Sequence, residues 1–363
     1  MKRWTKQILA WACIMFLSFS LSSCMAPVGG DYPNGKEENE ANEIQIGFSF
    51  DSLVIERWER DRDVFASTAK EYGAEVNVQN ANGDVQEQIN QIEYLIEKKV
   101  DVIVIVCVDS NSLSQVVQKA KEQGIKVIAY DRMIYNANVD LYITFDNESV
   151  GTLMGQGLVD AGITDGNVIM INGSQNDSNV ASVEAGFKAV MNAHNVTIID
   201  SIYCDGWHAE DGSEYVYNHL DTIANADAIM CGNDNVATQV VHALAENRLA
   251  GEILVVGQDA DIEACQRIVE GTQVMTVYKP VEKLARLAAE YAIELAKGND
   301  AASISEEKLP EGIELQSVSD GAFDVPYIGL SPIGVNKENI DEVIIDSGFH
   351  IRDEVYLNED NQE

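Results

Sequence analysis

The chain has 363 residues, 46% of them hydrophobic and 23% charged, which is a globular composition long enough for two cored domains. Lys plus Arg number 24 against 60 Asp plus Glu, a formal net charge of -36 that repels a phosphate backbone and argues against nucleic-acid binding. The one strongly apolar stretch suited to a membrane lies at the N-terminus, which excludes a multi-span transporter.

Lys2, Arg3 and Lys6 precede an apolar run over 8–21, the length of a signal-peptide core and short for a spanning helix. The run ends at Leu21-Ser22-Ser23-Cys24, a bacterial lipobox pattern, so residues 1–23 are expected to be removed and Cys24 to carry a diacylglyceryl group. A plain signal peptide with an incidental cysteine is the alternative. Residues 24–43 have almost no large apolar side chains and read as a solvated acidic tether. The remaining Cys107, Cys204, Cys231 and Cys265 are widely spaced and form no CxxC pair, so no zinc site is expected. Cys107 and Cys231 end apolar runs, as buried thiols do, although an exported protein permits disulfides.

From residue 44 the pattern alternates. Strands are expected at 44–50, 74–80, 100–108 and 125–130, with helices at 57–72, 85–99 and 112–123. The run VDVIVIVCV over 100–108 is nearly continuous, as in a parallel strand buried on both faces. The alternation then begins again. Strands are expected at 168–171, 197–203, 228–231 and 253–256, with helices near 149–161, 180–193, 210–224 and 235–247. A strand at 275–280 and an amphipathic helix at 281–297 follow. So many units exceed one ordinary open sheet. The expected fold is α/β, with two doubly wound lobes of parallel sheet joined by a hinge. The first lobe is expected at 44–145 plus 277–312, the second at 146–276 plus 313–350, and an acidic tail at 351–363. Crossings between the lobes are expected near 143–148, 275–280 and 311–326.

Ligands of open α/β sheets bind beyond the carboxyl ends of the strands. There this sequence places Asp51, Arg57 and Trp58, then Asp131 and Arg132, then Asn172, Asp177 and Asn179, then Asp205 and Trp207. Asn233 with Asp234, Gln258 with Asp259, and Lys279 follow the later strands. Charged and amide groups supply many directional hydrogen bonds, and the two tryptophans supply flat apolar faces. A sugar, with its ring of hydroxyls and its C–H faces, requires that combination. Each residue has a plainer reading: Asn233 and Asp259 as helix caps, Trp58 as core, Arg132 as a surface partner of Asp131, Lys279 as a solvated strand end. Their recurrence at strand ends favours the ligand site.

The strings ERWERDRDVF (56–65), QNANGDVQEQINQIE (79–93), IKVIAYDRMI (125–134), FDNESVG (145–151), GQDADIEACQRI (257–268), GTQVMTVYKP (271–280) and SPIGVNKENI (331–340) closely resemble the bacterial D-xylose-binding proteins of ABC transporters, in the type I periplasmic sugar-binding class. The resemblance implies a monosaccharide, D-xylose first, held in a cleft between the lobes by Arg57, Trp58, Asp131, Arg132, Asp177, Asn179, Trp207, Asn233, Asp259 and Lys279. It implies a monomeric, non-catalytic receptor without cofactor or metal. The receptor closes on the sugar and is read by permease subunits, with the membrane reached only through the lipid on Cys24 at the outer face of the cytoplasmic membrane. The loop NGSQNDSNV departs from the family around its preserved Asp177 and Asn179, and Asn235 stands where alanine is usual.

Rival functions have less support. No GxGxxG follows the first strand, and GxxxxGK[ST] and GxSxG are absent. His194, His208, His219, His242 and His350 are scattered without metal spacing. A regulator of this fold would need a basic helix-turn-helix where the export signal stands. A sugar sensor that docks on a chemoreceptor or histidine kinase, or a receptor for a related pentose or hexose, would share the same cleft.

Overall fold

The computed structural model describes residues 43–310 and 312–358; the expected signal segment, the Cys24 lipid site and nearly all of the tether lie outside them. The first series comprises β1 (Ile44–Phe50), α1 (Arg57–Glu71), β2 (Ala74–Asn80), α2 (Val85–Lys98), β3 (Val102–Ile105), α3 (Ser114–Glu122), β4 (Lys126–Tyr130) and β5 (Leu141–Phe145). The second comprises α4 (Asn147–Asp160), β6 (Gly166–Asn172), α5 (Ser178–Ala193), β7 (Val196–Tyr203), α6 (Glu210–Asn218), α7 (Leu220–Ile223), β8 (Ala228–Cys231), α8 (Asp234–Glu246), β9 (Leu254–Gln258), α9 (Ile262–Glu270) and β10 (Met275–Tyr278). After them come α10 (Val281–Ala296), α11 (Ala301–Lys308), β11 (Gln316–Ser319), β12 (Asp324–Leu330), β13 (Ile333–Asn336) and α12 (Arg352–Val355).

Two sheets result. The first runs β11-β12-β5-β4-β3-β1-β2 and the second β13-β10-β9-β8-β6-β7. All pairings are parallel except β11 with β12 and β10 with β13. In the central strands β3 and β8 every residue is buried, because helices cover both faces. In the first lobe Phe48 stacks on Phe50 and meets Phe65 and Tyr130 edge-on, joining β1, α1 and β4. In the second lobe α4 and α5 touch backbone to backbone. A Cβ on Gly151 would lie 1.9 Å from the Val183 carbonyl oxygen, and one on Gly186 would lie 2.0 Å from that of Glu148.

The chain passes from the first sheet to the second between β5 and α4, returns between β10 and α10, and passes again at 331–332, between β12 and β13. The expected placing of 313–350 wholly in the second lobe is corrected here. β12 pairs in parallel with β5, Tyr327 opposite Tyr142, so the stretch through Leu330 completes the first sheet. Short, partly polar strands such as QSVS carry no periodicity that assigns them to a lobe; only the register with β5 does so. Tyr278, at the end of β10, likewise belongs to the second sheet. The beginning of the expected acidic tail is also not free. Val355 of α12 is buried, Gln266 donates to the Glu354 carbonyl, and Arg352 pairs with Asp341 at 2.6 Å.

Candidate functional site

The strand ends of the two sheets face each other across one shared cavity. Arg57 and Trp58 open α1, and Asp131 and Arg132 leave β4. From the second lobe, Asp177 caps α5 and Asn179 lies in its first turn. Trp207 sits in a single 3-10 turn after β7, and Asp259 and Lys279 follow β9 and β10. All of these line the cavity. Asn233, expected with them, does not: its Oδ1 accepts from Val236 N at 2.9 Å as the N-cap of α8.

The charges are buried and interlocked. Arg57 Nη2 donates to Asp131 Oδ2 at 2.8 Å and to Asp61 Oδ1 at 3.3 Å, and Nη1 approaches Asp259 at 3.9 Å. Arg132 Nη1 donates to Asp51 Oδ2 at 2.7 Å and to the Cys107 carbonyl at 2.9 Å, while Nε lies 2.7 Å from Asp177 Oδ2 of the other lobe. Lys279 Nζ lies 2.8 Å from Asp259 Oδ1. The last two contacts are close ion pairs off the hydrogen-bonding direction, so Arg132 Nε and Asp259 Oδ1 keep unused hydrogen-bonding capacity. Asn179 Nδ2 reaches across to Asp131 Oδ1 at 3.0 Å, and Trp207 Nε1 donates to Asp177 Oδ2 at 3.2 Å. The lip is stitched by Ser110 N to Asn176 O at 3.0 Å and Met133 N to Ser178 Oγ at 2.8 Å, so the lobes are closed on one another. Asn235 also donates across the cleft, to the Val54 carbonyl at 3.3 Å.

Burial works against the carboxylates of Asp51, Asp61, Asp131 and Asp177, and its balance with the neighbouring cations sets each outcome. For Asp131 the burial penalty is outweighed by Arg57, Lys279 and Arg132, which hold its carboxyl below the ordinary value. For Asp51, Asp61 and Asp177 burial prevails over the arginine partner and the carboxyls rise. Behind the cavity burial lifts Asp234 to about 7, although it accepts from Thr276 Oγ1 at 2.6 Å and Gln273 Nε2 at 2.8 Å. Asp261 beside it is raised by burial and then by Asp234 itself. The stability from raised groups is complete below about pH 4 and is lost as pH rises through their folded values; that from Asp131 is complete above about pH 4 and is lost as pH falls through its lowered value. The urea midpoint is therefore expected to be higher near about pH 5.5 than near about pH 8, with Asp234→Asn flattening the difference. An equal or higher midpoint at the alkaline value would contradict this.

Several polar atoms lining the cavity have no hydrogen-bond partner: Trp58 Nε1, Arg132 Nη2, Asn172 Oδ1 and Gln258 Oε1, besides Arg132 Nε and Asp259 Oδ1. The amide orientations follow from their neighbours. Asn172 Nδ2 donates to the Ile202 carbonyl at 2.9 Å, and Gln258 Nε2 to that of Gly232 at 2.5 Å, so both oxygens are left as free acceptors. Strain gathers at the same place, with positive φ at Asp131 (65°), Trp207 (61°) and Asp259 (98°). Trp207 lies flat on Gly173, where a Cβ would come within 2.1 Å of the indole. Gly173→Ala is expected to swing the indole out of place and weaken ligand binding about tenfold or more, measured by titration calorimetry; unchanged affinity would show that the indole plane does not matter.

The strand-end pattern points to Asn172 and Gln258, while the lining also includes Asn147, Gly173 and Gly232 and the apolar Ile55, Val180, Val183 and Met230, to which it does not point. Asn147 follows the end of β5 and falls under the same rule once that strand is known. Met230 sits inside the run AIMC and is indistinguishable in sequence from core. The four thiols proved to be free and buried, with Cys107 pushed up to about 12 by burial.

Residues 46–300 match the family model described as periplasmic binding protein domain. The chain is 41% identical over 321 residues to the D-xylose-binding periplasmic protein of Haemophilus influenzae, covering 87% of this chain and 93% of that protein. It is 40% identical over 320 residues to the protein of the same name from Escherichia coli, with the same coverage. An ABC transporter solute-binding protein from Clostridium phytofermentans, solved with bound β-D-glucose, superposes with a TM-score of 0.74 at 27% identity, covering 86% of this chain and 99% of that one. The chain belongs to the periplasmic binding protein family, in its type I sugar-binding class. Its homologues are binding proteins, not enzymes, and so is this chain.

Proposed function

We propose that this protein is a lipid-anchored receptor that captures D-xylose and presents its closed form to an ABC permease. The observation that supports the reading most is the set of buried donors and acceptors left without partners around one interlobe cavity. Each such group is costly unless a ligand satisfies it, and a ring of hydroxyls does so. In this reading Arg57, Trp58, Asp131 and Arg132 hold the sugar from the first lobe, and Asp177, Asn179, Trp207, Asp259 and Lys279 from the second. Asn233 caps α8 through its Oδ1 at the edge of this set. The identity to proteins named for D-xylose supports the choice of sugar. The lipid on Cys24 would keep a monomeric receptor at the outer face of the cytoplasmic membrane.

Calorimetric titration of the purified protein with D-xylose, D-ribose, L-arabinose and D-glucose tests this. Tight one-to-one binding led by D-xylose is expected, and no binding of any pentose or hexose would reject the receptor. Cys24→Ser is expected to release the protein from the membrane fraction; retention there would reject the anchor.

A further inference from the structure

The aliphatic side chains on the cavity fall into two sets. Ile55 and Val180 belong to the same large core cluster as Trp58 and Trp207. Val183 and Met230 belong to a different cluster, the one between the second sheet and the α4–α5 pair. A pyranose presents two kinds of apolar surface. Its faces carry C–H bonds, which suit the tryptophans. A pentopyranose also has one edge without any oxygen substituent, the C5 methylene. Polar side chains supply most of the remaining lining, so the second aliphatic set fits that edge.

We propose that Val183 and Met230 form a rigid wall against C5, so that the site admits a pentopyranose and rejects the hexopyranose that differs only by a C5 hydroxymethyl. The inference rests on the monosaccharide-receptor reading and sharpens it. D-Xylose and D-glucose share their configuration at C2, C3 and C4, so contacts to those hydroxyls cannot tell them apart. Discrimination must come from the space at C5.

The wall cannot give way. Val183 is 4% exposed, and its carbonyl oxygen is pressed against Gly151 of α4 so closely that even a methyl there would overlap it. Met230 is 1% exposed on β8, inside the sheet, opposite Met170 on one side and Val256 on the other. Neither side chain has a polar group able to receive a hydroxymethyl oxygen strongly, so the hexose would be refused on bulk and again on an unpaired buried hydroxyl. Met230→Ala removes three heavy atoms and Val183→Ala two, against the two that a hydroxymethyl adds.

The test is titration of the wild-type protein, Met230→Ala and Val183→Ala with D-xylose, D-glucose and 6-deoxy-D-glucose. Wild type is expected to bind both hexoses about 100-fold or more weakly than D-xylose. Either variant is expected to narrow the xylose-to-glucose ratio at least about tenfold, whatever happens to xylose affinity itself. Wild-type binding of 6-deoxy-D-glucose close to that of D-xylose would overturn the wall without any variant having to fold. So would glucose binding within tenfold of xylose, or an unchanged ratio in both variants. Failure of the wild type to bind any of the three sugars would instead remove the receptor reading, and this inference with it.

Discussion

Replacement of Arg132 by methionine is expected to lower sugar affinity by about three orders of magnitude and to destabilise the protein most at alkaline pH. Arg132 is 1% exposed and joins Asp51 of its own lobe to Asp177 of the other, at 2.7 Å each. Methionine keeps much of the volume and removes the charge. Two buried carboxylates then lack their cation, a change that typically costs about 3–5 kcal/mol when one partner of a buried pair is lost. Part of the damage falls on closure, because the Asp177 contact exists only when the lobes meet, so affinity suffers as well as stability. Burial already raises both carboxyls. Without Arg132 they rise further and bind protons in the folded state. Stability of the variant is therefore retained below about pH 4 and falls as pH rises through those folded values. Urea titrations at about pH 5 and about pH 8 should show the gap from wild type widening at the higher pH. A gap independent of pH, or sugar affinity within tenfold of wild type, would remove Arg132 from the role given to it.

Gly186→Ala is expected to cost the second lobe about 3 kcal/mol, at the upper end for overpacking. Most added methyl groups meet side chains that can turn away. This one would meet the Glu148 carbonyl at 2.0 Å and the Thr152 amide nitrogen at 2.9 Å, both backbone of α4, so the helices must separate. Gly151→Ala should do the same from the other side, against Val183 and Phe187. Separation also moves Asn147, Asn179 and Val183, which line the cavity from the two helices, so ligand affinity should fall together with the denaturant midpoint. Because both single changes force the same helix pair apart, the double variant should lose less than the sum. A midpoint shift under about 1 kcal/mol in either single variant would show that the helices part at little cost.

Much of the cavity is open to inspection in the linear chain because parallel strands deliver their chemistry at one end. Asp131 and Arg132 after β4, Asp259 after β9 and Lys279 after β10 are polar residues that interrupt apolar runs where a buried strand must stop. Asn233 obeys the same pattern for another reason, since a strand that leads into a helix also needs a cap. One residue type serves both purposes, and Asp177 serves both at once, capping α5 while lining the cavity, so only the position of each side chain relative to the cavity separates them.

Strand–helix periodicity was enough to reveal an α/β protein of two lobes with a polar set at its strand ends, since 2.0- and 3.6-residue repeats are local properties of the backbone. Which lobe takes the late strand β12, which lining residues are apolar walls rather than core, and which buried carboxyl stays charged are long-range matters. They depend on the pairing of Tyr327 with Tyr142, on the contact of Val183 with Gly151, and on the placing of Arg57 against Asp131 from 74 residues away. Register, close packing and Coulomb interaction act through space, and neighbours along the chain carry no record of them.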